Sequence, residues 1–214
     1  MKISSVPRST ASNLRLGIVF LVLLFAVLWI IHVIIGGVPT QSRTITQAYG
    51  LEITEDIIPE DSPLRTGRQR TVRYIVIHET GNRLAGADAH SHNRYLHSGG
   101  DGSTAWHYTV DDKSAYHHIP DGEIAYHAGD RNKINGGNRC GIGIELCVNS
   151  DSDFEKVFTN GAKLTAKLIE TYDLSIKSIR QHSDFMDKNC PETIRDKERW
   201  GEFIDLVKSY LKEN

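Results

Sequence analysis

From Leu16 to Val38 the chain reads LGIVFLVLLFAVLWIIHVIIGGV, without a single charged residue. A helix needs about 20 apolar residues to cross a bilayer, and a core helix of that length with no polar face would be unusual. The run therefore divides the chain into a short cytoplasmic tail (1–15), an expected transmembrane signal-anchor (16–38), a linker (39–50) and a folded domain (51–214). Lys2, Arg8 and Arg15 precede the run, and no acid occurs before Glu52. Positive charge on the near side keeps the amino terminus in the cytoplasm and puts the remainder outside, so a single-pass cell-membrane protein with an extracytoplasmic domain is expected. A cleaved signal peptide is the alternative. Its apolar region usually spans about 7–15 residues and ends at an A-x-A-like site, which Gly36-Gly37-Val38 matches poorly. His32, near the outer end, reads as an interfacial passenger.

Setting aside the three basic residues before position 39 leaves 22 of the 25 Lys+Arg against 27 Asp+Glu, a net of −5. An acidic domain lacks the clustered basic face that phosphate binding needs, so nucleic acid is not expected as a partner. Cys140, Cys147 and Cys190 make an odd number for an oxidising compartment. Cys140 and Cys147 could pair only through a tight turn near Gly141, and free, partly buried thiols are the expectation.

Along the chain, 39–50 is polar and without periodicity, as a tether would be. Residues 51–70 mix acids, apolar residues and prolines and predict an extended segment anchored by Ile57, Ile58 and Leu64. Tyr74–Ile77 is a β-branched run that delivers His78 to the end of a buried strand, where open α/β sheets place sites. His78 is there either a metal ligand or a hydrogen-bonded core histidine. His78-Glu79 opens like a zincin helix, but position 82 is Asn rather than His. Residues 87–96 predict a helix with His92 packed beneath the site and His97 at the surface. Residues 104–111 alternate as a strand with Trp106, Tyr108 and Val110 on one side, and 114–119 returns as its hairpin partner. His127 follows in a loop of small residues, either lining a site or structural. Residues 141–148 form a buried strand with one central acid, Glu145. A carboxylate there is costly unless paired or near a metal, which makes it a functional candidate or half of an ion pair. An amphipathic helix is predicted over 154–172 and a closing helix over 200–211.

The stretch Arg180–Pro191 (RQHSDFMDKNCP) sets His182 and Cys190 eight positions apart, with Lys188 two before the thiol. Imidazole and thiolate are zinc donors; the alternative is a loop with an inert buried Cys. Pro191 fits a first helical position, which would put Cys190 at the cap, where the helix terminus favours a thiolate.

Six blocks carry a family likeness: YIVIHETGN (74–82), ADAHSHNRYL (87–96), AWHYTVDD (105–112), AYHAGD (125–130), GIGIELCVN (141–149) and HSDFMDKNCP (182–191). From about residue 51 to 214 the chain resembles the zinc-dependent N-acetylmuramoyl-L-alanine amidases of type 2, which include bacterial and prophage lysins and share their fold with the peptidoglycan recognition proteins. The resemblance implies an α/β fold, a central mixed β-sheet flanked by helices. It implies zinc held by His78, His182 and Cys190, with Glu145 as catalytic acid/base and Lys188 stabilising the transition state. His127 and Trp106 would line the substrate site, Trp106 standing where some members have a tyrosine. The implied substrate is the peptidoglycan amide between N-acetylmuramic acid and L-alanine. A non-catalytic peptidoglycan-binding module of the same fold is the alternative.

Overall fold

The computed structural model describes the backbone of residues 9–36 and 39–212, with side chains over 17–30 and 39–212. It divides into two units, 1–38 and 39–214. The first holds one helix, α1 (Ser9–Gly36). Among the described residues no helix is long and apolar enough to cross a membrane. The transmembrane segment expected over 16–38 is thus not supported by the structure. The expectations for Lys2, Arg8, Arg15 and His32 fall on side chains outside the described residues.

The second unit is built on a sheet of seven strands in the order β1-β2-β5-β4-β6-β3-β7. Strands β1 (Gln47–Ala48) and β2 (Leu51–Glu55) pair antiparallel at one edge. Strand β3 (Tyr74–Glu79) lies parallel to both β6 (Gly141–Leu146) and β7 (Ile179–Gln181). Strands β4 (Tyr108–Val110) and β5 (Ala115–His117) form the expected antiparallel hairpin, β4 running parallel to β6 and β5 parallel to β2. The sheet is mixed, as the family resemblance implied.

Alternation decides the two faces. Ile75 and Ile77 of β3, Ile142, Ile144 and Leu146 of β6, and Tyr108 and Val110 of β4 all join the main core. Helices α4 (Phe154–Tyr172) and α6 (Trp200–Lys212) supply its other half with Val157, Phe158, Leu164, Leu168, Phe203 and Val207. Val157, Leu164 and Leu168 fall seven and four positions apart, with Phe158 beside the first, along one stripe of the helix. Asp153 caps its start by accepting from the Glu155 and Lys156 N–H groups, satisfying donors the helix leaves free. Gly161 lets α4 approach the sheet, since a Cβ there would stand 2.6 Å from Leu146 Cδ2. A smaller core of Ile58, Leu64, Leu96, Ala105, Trp106, Ile119 and Ala125 lies apart from the main one, and α2 (Ala89–His97) contributes Leu96 to it.

Residues 39–50 are not a free linker. Thr40 N–H donates to the Arg70 carbonyl, Gly122 N–H donates to Ser42 Oγ, and Arg43 hydrogen-bonds the Tyr172 hydroxyl and the Thr171 carbonyl. Ile45 and Ala48 are buried in the main core. The polar composition concealed this because much of the docking is hydrogen bonding to backbone groups, with Ile45, Ala48 and the partly buried Tyr49 as apolar anchors. The folded unit therefore begins near Pro39 rather than Leu51.

The segment after β2 is anchored by Ile58 and Leu64 as expected, while Ile57 is only half-buried. An ion pair closes it: Arg65 Nη2 lies 2.6 Å from Glu123 Oε2, both side chains more than nine-tenths buried. Burial would raise the Glu123 carboxyl, but the Arg65 hydrogen bonds and the Gly67 N–H outweigh it and hold the group below the ordinary carboxylate range. A depressed folded value adds stability above the ordinary value and loses it as pH falls through the folded one. Glu123→Gln should therefore cost about 3–5 kcal/mol at neutral pH, the usual penalty for breaking a buried pair. Denaturant melts from pH 7 downward should show the parent converging on the variant in acid.

Candidate functional site

The site grows from one register. On adjacent parallel strands His78 of β3 sits opposite Glu145 of β6. Both alternate with isoleucines that enter the core, so both side chains emerge on the opposite face of the sheet. The loop after β7 then brings His182 and Cys190 to the same place. The His78, His182 and Cys190 ligand atoms lie within 4.8 Å of one another, and all three residues are buried. The two imidazoles face each other, Nδ1 to Nδ1, at 2.9 Å.

The proton arrangement at His78 follows from its neighbours. His127 Nε2 lies 2.9 Å from the Gly141 carbonyl, which can only accept. That puts the His127 proton on Nε2 and leaves Nδ1 to accept from His78 Nε2 at 2.9 Å. A neutral His78 then presents a bare Nδ1 lone pair to His182 and Cys190, as a metal ligand must. Gly143 makes the His127 position possible, since a Cβ there would stand 2.7–2.9 Å from three of its ring atoms. Gly143→Ala should push the ring off His78 and cost about 1–3 kcal/mol as an overpacked site. Melting, with the His127 ring resonances followed by NMR, checks it.

Burial sets the charge states. His78 is held well below the ordinary histidine value by burial first and then by His127, His182 and Lys188. His127 is lowered to about 3, chiefly by burial, and His182 to about 4 by burial and Lys188. All three are neutral at pH 7. Burial also raises the Cys190 thiol to about 12, with Glu145 adding to it. This corrects the expectation that a helix terminus would favour the Cys190 thiolate. Pro191 is itself the N-cap of α5 (Glu192–Asp196), so Cys190 lies outside the helix and desolvation wins. Glu145 is raised to about 8 by burial, with Lys188 pulling it back. Its Oε1 lies 3.9 Å from His78 Nδ1, and Oε2 has no protein hydrogen-bond partner.

Two residues that hold the site were not singled out from the sequence. Glu79 accepts from the Thr193 and Ile194 N–H groups at 2.8 and 3.0 Å, tying the end of β3 to the first turn of α5, which follows Cys190. Asn138, in the short helix α3 (Gly137–Cys140), accepts through Oδ1 from the His127 and Ala128 N–H groups at 2.7 and 2.6 Å, fixing the turn that presents His127. The acid after His78 and the Asn/Gly-rich stretch were the available signals. Beside the metal-type cluster opens a cleft of about 520 Å³, lined by His127, His182 and Lys188 together with Tyr126, Arg131 and Met186. Tyr126 and Met186 are exposed there.

Trp106 is placed elsewhere, against its expected role in the substrate site. It is buried in the smaller core, its indole N–H donating to Thr109 Oγ1 at 2.7 Å. The expected role came from the family resemblance, in which Trp106 stands where some members have a tyrosine; here the indole is packed inward instead. His92 is structural as expected, buried with Nδ1 against the Asp88 carbonyl, and His97 lies at the surface. Cys140 and Cys147 are free and buried.

A family model described as N-acetylmuramoyl-L-alanine amidase matches residues 68–193. The chain belongs to the N-acetylmuramoyl-L-alanine amidase family. Residues 78, 127, 145, 182, 188 and 190 all fall within the matched span of this amidase-family chain. It is 40% identical over 153 residues to N-acetylmuramoyl-L-alanine amidase XlyA of Bacillus subtilis (strain 168), covering 72% of this chain and 50% of that relative. It is 37% identical over 158 residues to CwlH of the same organism, covering 73% and 61%. It therefore spans only half to three-fifths of these relatives' length. The solved catalytic domain of XlyA superposes with a TM-score of 0.69 at 38% identity, over 73% of this chain and 99% of that domain. PlyL follows at 0.66 and 28% identity, over 73% and 97%.

Proposed function

We propose that this chain is a zinc-dependent hydrolase that cleaves the peptidoglycan amide between the lactyl group of N-acetylmuramic acid and L-alanine. The observation that carries the reading is the convergence of two neutral imidazoles and a thiol, with a carboxylate on the neighbouring strand, beside an open cleft. The donor set fits zinc: nitrogen and sulfur donors, all on buried residues, with ligand atoms within 4.8 Å of one another and the two Nδ1 atoms 2.9 Å apart. Bound there by His78, His182 and Cys190, zinc would polarise the scissile carbonyl and lower the pKa of a water.

The chain's own residues supply the rest. Glu145, mostly buried and without a hydrogen bond on Oε2, takes the proton from the attacking water and returns it to the departing L-alanine amine. A carboxyl whose pKa is raised by burial suits both halves of that exchange. Lys188 carries its ammonium at the cleft wall and stabilises negative charge developing on the carbonyl oxygen. His127 holds the His78 ring in its ligand tautomer through the 2.9 Å contact. Retention of Glu145, Lys188 and Cys190 together favours this reading over a peptidoglycan-binding module without chemistry.

Location is part of the same proposal. The substrate lies outside the cytoplasm, and basic residues ahead of the uncharged run 16–38 support an anchored, outward-facing domain that acts on the wall in turnover or lysis. Protease accessibility in intact spheroplasts tests the topology. Zinc content of the full chain, with release of new L-alanine amino termini from muropeptides before and after chelation, tests the chemistry. A metal-free chain that still releases amino termini would sink the zinc reading.

A further inference from the structure

Arg70 is buried, only 4% exposed, yet no carboxylate among the described residues forms an ion pair with it. Glu123 is taken by Arg65, and the Asp121 carboxylate accepts from the Tyr108 and Tyr172 hydroxyls. Burial lowers Arg70 to about 10, so it is still charged at neutral pH. A buried cation without a paired anion is costly, and its presence calls for a cause. Its donors go to backbone carbonyls instead. Nε and Nη2 donate to the Asp121 carbonyl at 2.9 and 2.7 Å, and Nη1 donates to the Gly141 carbonyl. The Arg70 backbone is itself pinned, its N–H donating to the Gly122 carbonyl and its carbonyl accepting from Thr40 N–H.

The Gly141 carbonyl is where this arginine meets the site. Gly141 and Gly143 stand two apart in β6, so their backbone groups turn to the same neighbour. At Gly143 that side is filled: its carbonyl accepts from His107 N–H, and its N–H donates to His107 Nδ1 at 3.0 Å. Strand β4 begins only opposite Ile144, so no strand partner reaches the Gly141 carbonyl. A buried carbonyl left bare is costly, and this one takes two donors, Arg70 Nη1 and His127 Nε2. The second bond fixes the His127 tautomer, and with it the bare Nδ1 of His78. We propose that Arg70 is a positioning residue for the metal site. By holding the Gly141 carbonyl it keeps the His127 proton on Nε2, and so keeps His78 in its ligand tautomer. The same guanidinium contacts His107, Nη2 to Nε2 at 2.9 Å, and the His107 ring packs edge-on against His127. This role rests on His78 being a metal ligand, and Arg70 acts only through others, since it does not line the cleft. Without it the carbonyl is free to tilt away from His127, and hydrogen bonds of this kind decide which imidazole nitrogen carries the proton.

Nitrogen-15 NMR of the full, metal-free chain at pH 7 reads the tautomers of His127 and His78 directly. The parent should carry the proton on Nε2 in both rings. Arg70→Met removes every donor, and Arg70→Lys keeps a charge but loses the fork that reaches two carbonyls at once. In either variant both rings should show mixed tautomers, and zinc should bind about tenfold more weakly, the low end for groups that orient a ligand. Leu168→Ala, which opens a cavity in the main core, separates positioning from stability. It should lower the melting temperature and leave tautomers and zinc affinity at parental values. If Arg70→Met does not fold, Arg70→Lys decides. Parental tautomers or parental zinc affinity in the folded Arg70 variants overturns the proposal, as does an equal change in Leu168→Ala. A parent that binds no zinc sinks the zinc reading, while the tautomers still decide what Arg70 does.

Discussion

Glu145→Gln should lower the rate of muramoyl-amide cleavage by about 10²–10⁴-fold, the usual contribution of a positioned acid/base, while zinc content and melting temperature stay near those of the parent. The glutamine keeps the shape of the side chain but cannot take a proton from water. Stability should be spared because the metal-free protein already holds this carboxyl neutral at pH 7, its pKa raised to about 8 by burial. The substitution therefore exchanges one neutral group for another. Single-turnover assays with equilibrium zinc measurements separate the two effects. A variant that loses zinc along with activity would make Glu145 a structural partner of the metal cluster rather than the proton carrier.

The second large effect is at Cys190. Cys190→Ser should lose most of its zinc and with it the activity, because an alcohol does not ionise as a thiol does when a metal binds. The zinc-bound parent gains RT ln(1 + [L]/Kd), about 4 kcal/mol at a thousandfold excess over Kd. The serine variant should melt with the chelated parent rather than the loaded one. Proton release gives an independent reading. Without metal the thiol sits at about 12, whereas His182 sits at about 4 and His78 below the usual range, so both histidines are deprotonated at neutral pH. Cys190 must then surrender its proton on loading, and zinc affinity should weaken as pH falls. Glu145, neutral without metal, should ionise beside the dication, so Glu145→Gln should release about one proton fewer per zinc. Calorimetry in buffers of different ionisation enthalpy measures both.

The metal-type cluster of His78, His182 and Cys190 was legible as a candidate because it rests on residue type and local pattern. A β-branched run ending in His78, an acid inside an apolar strand, and a His and Cys on one short loop are each local facts. Strand parity is local too. Once Ile75 and Ile77 are inward, His78 must face the other way, and the same holds for Glu145 between Ile144 and Leu146. The main helices followed from their apolar stripes for the same reason.

What the one-dimensional pattern could not carry was neighbourhood. That β3 lies beside β6, with His78 opposite Glu145, joins residues far apart in the chain, and only the sheet order decides it. Trp106 owed its expected place to the family resemblance, as the counterpart of a tyrosine, yet it is buried in the smaller core, and Tyr126 is an exposed aromatic that lines the cleft. Residues 39–50 have the composition of a tether and yet are docked, because hydrogen bonds to backbone groups leave no mark on composition. Glu79 and Asn138 hold the site through backbone donors supplied by other segments, so neither role is encoded in its own neighbourhood. Sequence alone determined which side chains could bind a metal and move a proton. The tertiary structure decided the charge each one carries, because burial, which sets Cys190 near 12 and His182 near 4, exists only once the chain has folded.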